Sequence, residues 1–211
     1  AVVADHSFTV LGLKAGLFTG KGKAYCGQIH LIDLIPTDPD LTAIAQLSPT
    51  HIKLPKRQAF GHKGSYGHVL VIGGHAEMGG AVIMAAEAAF YAGAGKVTLV
   101  CDAKHHSAIL ARSPNVMLRD IHQLSQSERE ALINQVDAIC FGMGLGRDAW
   151  AEQQFEQWFD AMNQDDKIVV LDADALWFLA KTPKPLSRHS YLTPHPGEAA
   201  TLLHCSVNEV E

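Results

Sequence analysis

Long apolar runs are missing from the sequence, and none approaches the ~20 residues that a membrane-spanning helix needs. The first segment, AVVADHSFTV, lacks the basic start and the long apolar stretch of a signal peptide. Positive charge is also scarce, and the net charge of the 211 residues is −5. Such a chain provides no field that attracts nucleic acid or an anionic membrane. We therefore expect a chain that binds neither nucleic acid nor a membrane.

Paired cysteines and metal-binding patterns are absent as well. None of the four cysteines stands at CxxC spacing, and Cys101 and Cys140 end apolar runs, where a thiol behaves as a small core hydrophobe. Reduced thiols indicate a reducing compartment, so we expect a cytoplasmic protein. The adjacent His105 and His106 cannot share one helix face, and no HExxH pattern occurs, so we expect no structural transition-metal site.

The chain divides into three parts. Residues 1–36 contain two apolar runs joined by the Gly/Lys-rich TGKGKAYCG, which predicts strand, loop and strand. The turn-forming PTDPD then interrupts the pattern, and residues 37–49 form a linker with a short helix at 41–47 that ends at Pro49. Residues 50–211 are long enough for one sizeable domain.

From residue 68 onward, strand and helix patterns alternate. HVLVIGG is the continuous apolar run of a strand that is buried on both faces. The Ala-rich GGAVIMAAEAAFYAGAG predicts a helix that ends at Gly93, and Ser125 with Glu128 predicts a capping box. Further strands are predicted in KVTLVC, DAICF, KIVVL and SYL, and NVMLRDI is predicted to be an edge strand or an extended segment. The alternation predicts an α/β fold, with a mostly parallel central sheet and helices on both faces.

Four segments rich in Gly, Asp, Pro, His or Glu follow the predicted strands: GGHAEMGG, GMGLG, DADAL and TPHPGE. Ligands of open α/β sheets lie outside the carboxyl ends of the strands, so these segments are expected to converge on one site. Gly79 and Gly80, at a helix start, suit either a ligand, anionic or amide, or close helix–strand packing. They match neither the GxGxxG fingerprint nor the GxxxxGK[ST] loop.

The other two polar segments also admit two interpretations. One of Asp172 and Asp174 could be a helix N-cap, and the other could face the site and bind a hydroxyl or a cation. His195 stands at a strand end, where it could contact a ligand. Glu198 lies in the first turn of a helix, and the helix dipole stabilises a carboxylate there whether or not it has a function.

Taken in order, HKGSYGHVLVIGG, MGGAVIMAAEAAFYAGAGKVTL, GMGLG, VVLDADAL and LTPHPGEAATLL resemble the NAD(P)H-hydrate dehydratase family of the ribokinase-like superfamily. The resemblance covers about residues 50–205. Residues 1–36 resemble the final segment of the NAD(P)H-hydrate epimerase domain, which precedes the dehydratase in bifunctional bacterial proteins. The resemblance thus implies an incomplete ribokinase-like three-layer α/β/α sandwich, preceded by the tail of an epimerase-like domain.

The activity that the resemblance implies is the ADP- or ATP-dependent dehydration of (S)-NAD(P)H hydrate back to NAD(P)H, with Mg²⁺. The parent protein would also epimerise the hydrate, with K⁺ in its epimerase half, and would be a homo-oligomer. By motif matching, Ala81, Gly144, Gly146 and His195 are expected to bind the substrate. Glu198 matches an acidic position near Mg²⁺ and phosphate.

The chain departs from the family pattern in several places. Met143 replaces the usual proline of the glycine turn, and His75 stands where Ser or Asp is frequent. The family's lysine–glycine nucleotide segment and its GTGD motif, whose Asp is the expected catalytic base, are absent after LLHCSVNEVE. An initiator methionine and an upstream DxPSG motif are also absent. We therefore expect a fragment that binds the nicotinamide nucleotide weakly and does not catalyse the reaction.

Two other functions remain open. A small-molecule or vitamin kinase of the same superfamily would share the fold, although HKGSYG and TPHPGE are features of the dehydratase branch. A non-catalytic nucleotide-binding module would fit if the natural gene ended at Glu211.

Overall fold

The structure is a computed structural model that describes residues 2–32, 34, 56–162 and 167–210. It divides into two compact units, of which the first ends at Lys56 and the second comprises Arg57–Val210. The predicted linker helix at 41–47 lies outside the described residues, so its prediction is not tested.

The first unit contains a two-stranded parallel sheet. Strand β1 (His6–Val10) pairs with β2 (Gln28–Ile32). The two apolar runs are therefore strands, as predicted. The connection between them is more ordered than the predicted loop, because it contains a 3-10 turn and the short helix α1 (Gly22–Cys26). A helix of this length is too short to show a 3.6-residue apolar period, and the sequence pattern therefore missed it.

The second unit is built on a six-stranded sheet whose neighbouring strands are all parallel, in the order β5-β4-β3-β6-β7-β8. The strands are β3 (His68–Ile72), β4 (Lys96–Cys101), β5 (Met117–Asp120), β6 (Ala138–Phe141), β7 (Ile168–Leu171) and β8 (Ser190–Leu192). The helices are α2 (Gly79–Ala92), α3 (His106–Arg112), α4 (Gln126–Gln135), α5 (Ala149–Met162), α6 (Asp174–Lys181), α7 (Pro196–Leu203) and α8 (Val207–Val210). The predicted alternation and the edge position of β5 are both confirmed.

Two hydrophobic cores lie on opposite faces of this sheet. Along β3, Leu70 and Ile72 pack with α4, α5 and α6, whereas Val71 packs with α2 and α3. Side chains alternate between the faces of a strand, so a strand that is covered on both sides must be apolar at every position. The structure thereby confirms the predicted strand buried on both faces and the three-layer α/β/α arrangement.

The helix ends follow the predicted signals. Gly93 closes α2 with φ 114, and Ser125 and Glu128 form the predicted capping box of α4.

The cysteines are free thiols, and burial raises the pKa of Cys101 to about 12 and raises the pKa of Cys140 above its usual range. Among the described residues, no helix has the length and apolarity to cross a membrane.

Candidate active site

Backbone hydrogen bonds connect the turns at the carboxyl ends of three neighbouring strands. The N–H of Gly74, just after β3, donates to the Met143 carbonyl after β6 (3.0 Å). The N–H of His75 donates to the Gly144 carbonyl (2.7 Å), and the N–H of Asp102 after β4 donates to the Gly74 carbonyl (3.0 Å). The segments GGHAEMGG and GMGLG therefore meet at this edge, as the α/β architecture predicted.

The glycines of GMGLG permit a close approach to the start of α2. Gly144 and Gly146 have φ of 60° and 88°, which favour glycine. A Cβ at Gly144 would lie 2.5 Å from the Met78 carbonyl oxygen, directly before α2. Ala81 lies in the first turn of α2 and is half-buried against the core that α2 covers. The structure thus places Gly144 and Gly146 beside the turn that leads to Ala81.

Asp174 ties the glycine turn to the helix that follows β7. Its Oδ2 accepts a hydrogen bond from the Gly146 N–H (2.9 Å), and its Oδ1 accepts one from Arg147 Nε (2.8 Å). The N-cap of α6 is Ala173, with φ 51 and no side-chain cap. The expectation that one aspartate of DADAL caps this helix is therefore wrong, because the Asp174 carboxylate is engaged by the neighbouring turn instead.

His195 and Glu198 form a reciprocal capping box at the start of α7. Nδ1 of His195 accepts from the backbone N–H groups of Gly197 (3.1 Å) and Glu198 (3.4 Å), and Glu198 Oε2 accepts from the His195 N–H (2.9 Å). A ring nitrogen that accepts a hydrogen bond carries no proton. In the neutral imidazole of His195, the single N–H proton therefore lies on Nε2. The side chain of His195 is 67% exposed, and its Nε2 lies 3.4 Å from Glu198 Oε1, so Nε2 can donate to a ligand that replaces this contact.

A cavity of about 270 Å³ is lined both by residues close to Asp174 and by residues at the start of α7. It is lined by Arg147, Leu176, Trp177, His195, Gly197, Glu198 and Thr201. The guanidinium of Arg147 lies 5.4 Å from the centroid of the Trp177 ring. Sequence reasoning found His195 and Glu198 but missed Arg147 and Trp177. Their position immediately beside the GMGLG and DADAL segments was the available signal.

A second polar group lies at the ends of β3, β4 and β5. The His75 ring packs edge-on against Trp150 at a centroid distance of 4.5 Å, and its Nε2 is 3.7 Å from Asp148 Oδ2. Asp102 accepts hydrogen bonds from the Lys104 N–H and from His122 Nε2, and these bonds hold its pKa below the usual range. The group fixes the turn around His75.

In the parts of the chain that the structure describes, no three histidine, cysteine, aspartate or glutamate side chains stand in positions that could hold a metal ion. Mg²⁺ is commonly bound through one or two carboxylates together with substrate phosphates, so a full protein cage is not required. Glu198 is the carboxylate that lines the cavity, and it fits the role of a single ligand.

Comparison with curated proteins gives a long match. The bifunctional NAD(P)H-hydrate repair enzyme Nnr of Coxiella burnetii is 39% identical over 220 residues, which cover all of this chain and 43% of that protein. The chain therefore spans less than half the length of this relative.

Solved structures match about three quarters of the chain. A ribokinase-like superfamily protein of Enterococcus faecalis has a TM-score of 0.63 and 31% identity, over 72% of this chain and 54% of its own. The ADP/ATP-dependent NAD(P)H-hydrate dehydratase of Bacillus subtilis, co-crystallised with ATP/Mg²⁺, has a TM-score of 0.61 and 28% identity, over 74% and 53%. The ribokinase-like fold is thereby confirmed.

The family model for NAD(P)H-hydrate dehydratase matches residues 69–211, which is more than half of the chain. The match contains five strands of the larger sheet completely and all of β3 after His68. The chain therefore belongs to the NAD(P)H-hydrate dehydratase family.

Proposed function

We propose that this chain takes part in nicotinamide-nucleotide repair, in which ADP or ATP drives the dehydration of (S)-NAD(P)H hydrate back to NAD(P)H. The observation that carries the proposal is the family match over residues 69–211, whose segments meet at the carboxyl edge of the sheet. The names of the relatives from C. burnetii and B. subtilis support the same reaction.

The chemistry explains why a kinase-like fold suits a dehydration. Hydroxide is a poor leaving group. Transfer of a phosphoryl group from the nucleotide to the hydroxyl of the hydrate gives a phosphate ester, which departs as phosphate. Loss of a proton from the adjacent ring carbon then restores the double bond. Positioning and electrostatic stabilisation are the main contributions that a protein makes to phosphoryl transfer.

The residues of the cavity have separate roles in this proposal. The turn with Gly144 and Gly146 lets the backbone approach the substrate beside the start of α2, where Ala81 lies. Nε2–H of His195 donates a hydrogen bond to the substrate, while Nδ1 stays bound to the backbone of α7. Glu198 would hold Mg²⁺, which neutralises phosphate charge when it is bound.

The remaining parts of the proposal concern the whole protein. We infer that residues 1–36 belong to an epimerase domain that uses K⁺, that residues 37–49 are a linker, and that residues 50–211 belong to the dehydratase domain. A homo-oligomer in the cytoplasm stays a prediction.

The test uses the full-length product of the gene that encodes this chain. The protein is incubated with NADH hydrate and either ADP or ATP, and the absorbance band of the dihydronicotinamide is followed over time. We expect the band to return with at least one nucleotide and not in its absence. No recovery with either nucleotide would refute the dehydratase proposal and favour a binding module, or a kinase for another substrate.

A further inference from the structure

The guanidinium of Arg147 is held in place on one side and open on the other. Its Nε donates to Asp174 Oδ1 at 2.8 Å, and Asp174 is only 13% exposed. The Trp177 ring lies 5.4 Å away and limits the positions that the guanidinium can adopt. Within the described ranges, no acceptor bonds to the two Nη groups of Arg147, and this side chain lines the cavity.

An arginine in this state suits an oxyanion. The planar fork of the guanidinium matches two oxygens of a phosphate, and an anchored fork loses less conformational entropy on binding than a free side chain. The carboxylate that lines the same cavity belongs to Glu198 in α7, and it accepts a hydrogen bond from the backbone N–H of His195. The Arg147 side of the cavity therefore attracts an anion, and the Glu198 side does not.

We propose that Arg147 binds a phosphate group of a nucleotide in this cavity, and that Asp174 and Trp177 position it for this purpose. The inference rests on the proposed function, because the hydrate of NADH and the nucleotide ADP both carry phosphates. The diphosphate of the hydrate is the first assignment, because His195, matched to the substrate, lines the same cavity. Asp174 then has two tasks, since it also orders the glycine turn through the Gly146 N–H.

The experiment compares steady-state kinetics of the full-length gene product and its R147Q variant, with NADH hydrate and ADP varied separately. Loss of a charge-assisted hydrogen bond predicts a KM that rises roughly tenfold or more for the ligand whose phosphate accepts from Arg147, with a smaller change in kcat. A rise for NADH hydrate assigns the contact to the substrate, and a rise for ADP assigns it to that nucleotide. An unchanged KM for both overturns the inference, while restored NADH in the same assay leaves the proposed function standing.

Three further variants separate binding from folding. R147K keeps the charge but loses the fork, so its KM is expected between those of the wild type and R147Q. D174N removes the carboxylate that anchors Arg147 and also binds the Gly146 N–H. A KM rise in D174N that disappears in the R147Q background supports the inference, and a rise of the same size in both backgrounds opposes it. K181Q is the matched control, because Lys181 Nζ lies 5.2 Å from the same indole but does not line the cavity. An equal KM rise in K181Q would reduce the effect to general charge and overturn the specific contact.

Discussion

At the scale of single residues, the turn after β6 depends on glycine for two separate reasons. Gly142 has φ 115, which an L side chain rarely adopts. A Cβ at this position would also overlap the carbonyl oxygen of Asp172, so the neighbouring backbone leaves no room for it. Gly80 in α2 differs, because a Cβ there would have no neighbour within 4 Å.

Replacement of these two glycines by alanine is therefore expected to have opposite effects on stability. G142A should lower the free energy of unfolding by at least about 2 kcal/mol, since backbone strain and steric overlap add. G80A should leave it unchanged or raise it by roughly 0.5–1 kcal/mol, because alanine loses less entropy in a helix. Urea denaturation at constant pH measures both values. Equal losses in the two variants would contradict the argument.

At the scale of elements, α7 begins with an N-cap that is unusual in chemistry. Ser, Thr, Asp and Asn are the preferred N-caps, yet here an imidazole accepts from the first turn. Pro196 follows at a position that leaves no unsatisfied N–H. His195 thus stabilises the helix and, in our proposal, contacts the substrate with its other ring nitrogen.

Two variants of His195 separate these roles. H195A removes the cap and should cost about 1 kcal/mol of stability, whereas H195N supplies a good cap and should cost much less. Both variants lack the imidazole, so both should raise the KM for NADH hydrate. Thermal unfolding and kinetics of the full-length gene product provide the two measurements. If H195N restored the wild-type KM as well as the stability, His195 would be a helix cap only.

Elements with strong local signals were predictable, and contacts between distant segments were not. The apolar run of β3 and the Ser125–Glu128 capping box were recognised, because their causes lie within a few neighbouring residues. The bond between Asp174 and the Gly146 N–H joins positions that are 28 residues apart. It arises only when β6 and β7 pair side by side, so no local pattern distinguishes this carboxylate from a helix cap.

At the scale of the whole molecule, one of the two central strands of the larger sheet carries a titratable group into the interior. His68 begins β3, is 6% exposed, and its Nε2 lies 2.8 Å from Thr98 Oγ1 on the adjacent strand β4. Burial lowers the pKa of His68 below its ordinary value of 6.5, because the charged imidazolium is poorly solvated there.

The lowered pKa of His68 predicts a loss of stability in mild acid. Below about pH 6.5 the unfolded chain binds a proton that the folded chain does not, so stability is complete above this pH and falls as the pH decreases. The slope for one group is at most about 1.4 kcal/mol per pH unit. Urea denaturation between pH 7.5 and 5 measures it. Asp102, whose pKa is lowered, contributes only in more acidic solution.

The H68Q variant identifies the source of this slope. Glutamine can keep a hydrogen bond to Thr98 but does not titrate, so stability should change less between pH 7.5 and 5 than in the wild type. H62Q is the control, since His62 is exposed at the surface of the same unit. A slope that is the same in H68Q and H62Q would assign the acid sensitivity to other groups.

The distribution of thiols over the two units has a practical consequence. Cys101 is inert toward thiol reagents at neutral pH, because its pKa of about 12 leaves almost no thiolate, and burial acts in the same direction on Cys140. Cys26 and Cys205 are partly exposed, one in each unit. Within residues 1–211, Cys26 and Cys205 are therefore the expected sites of maleimide labelling, one in each unit. Energy transfer between the dyes would then report the distance between the units as nucleotide is added.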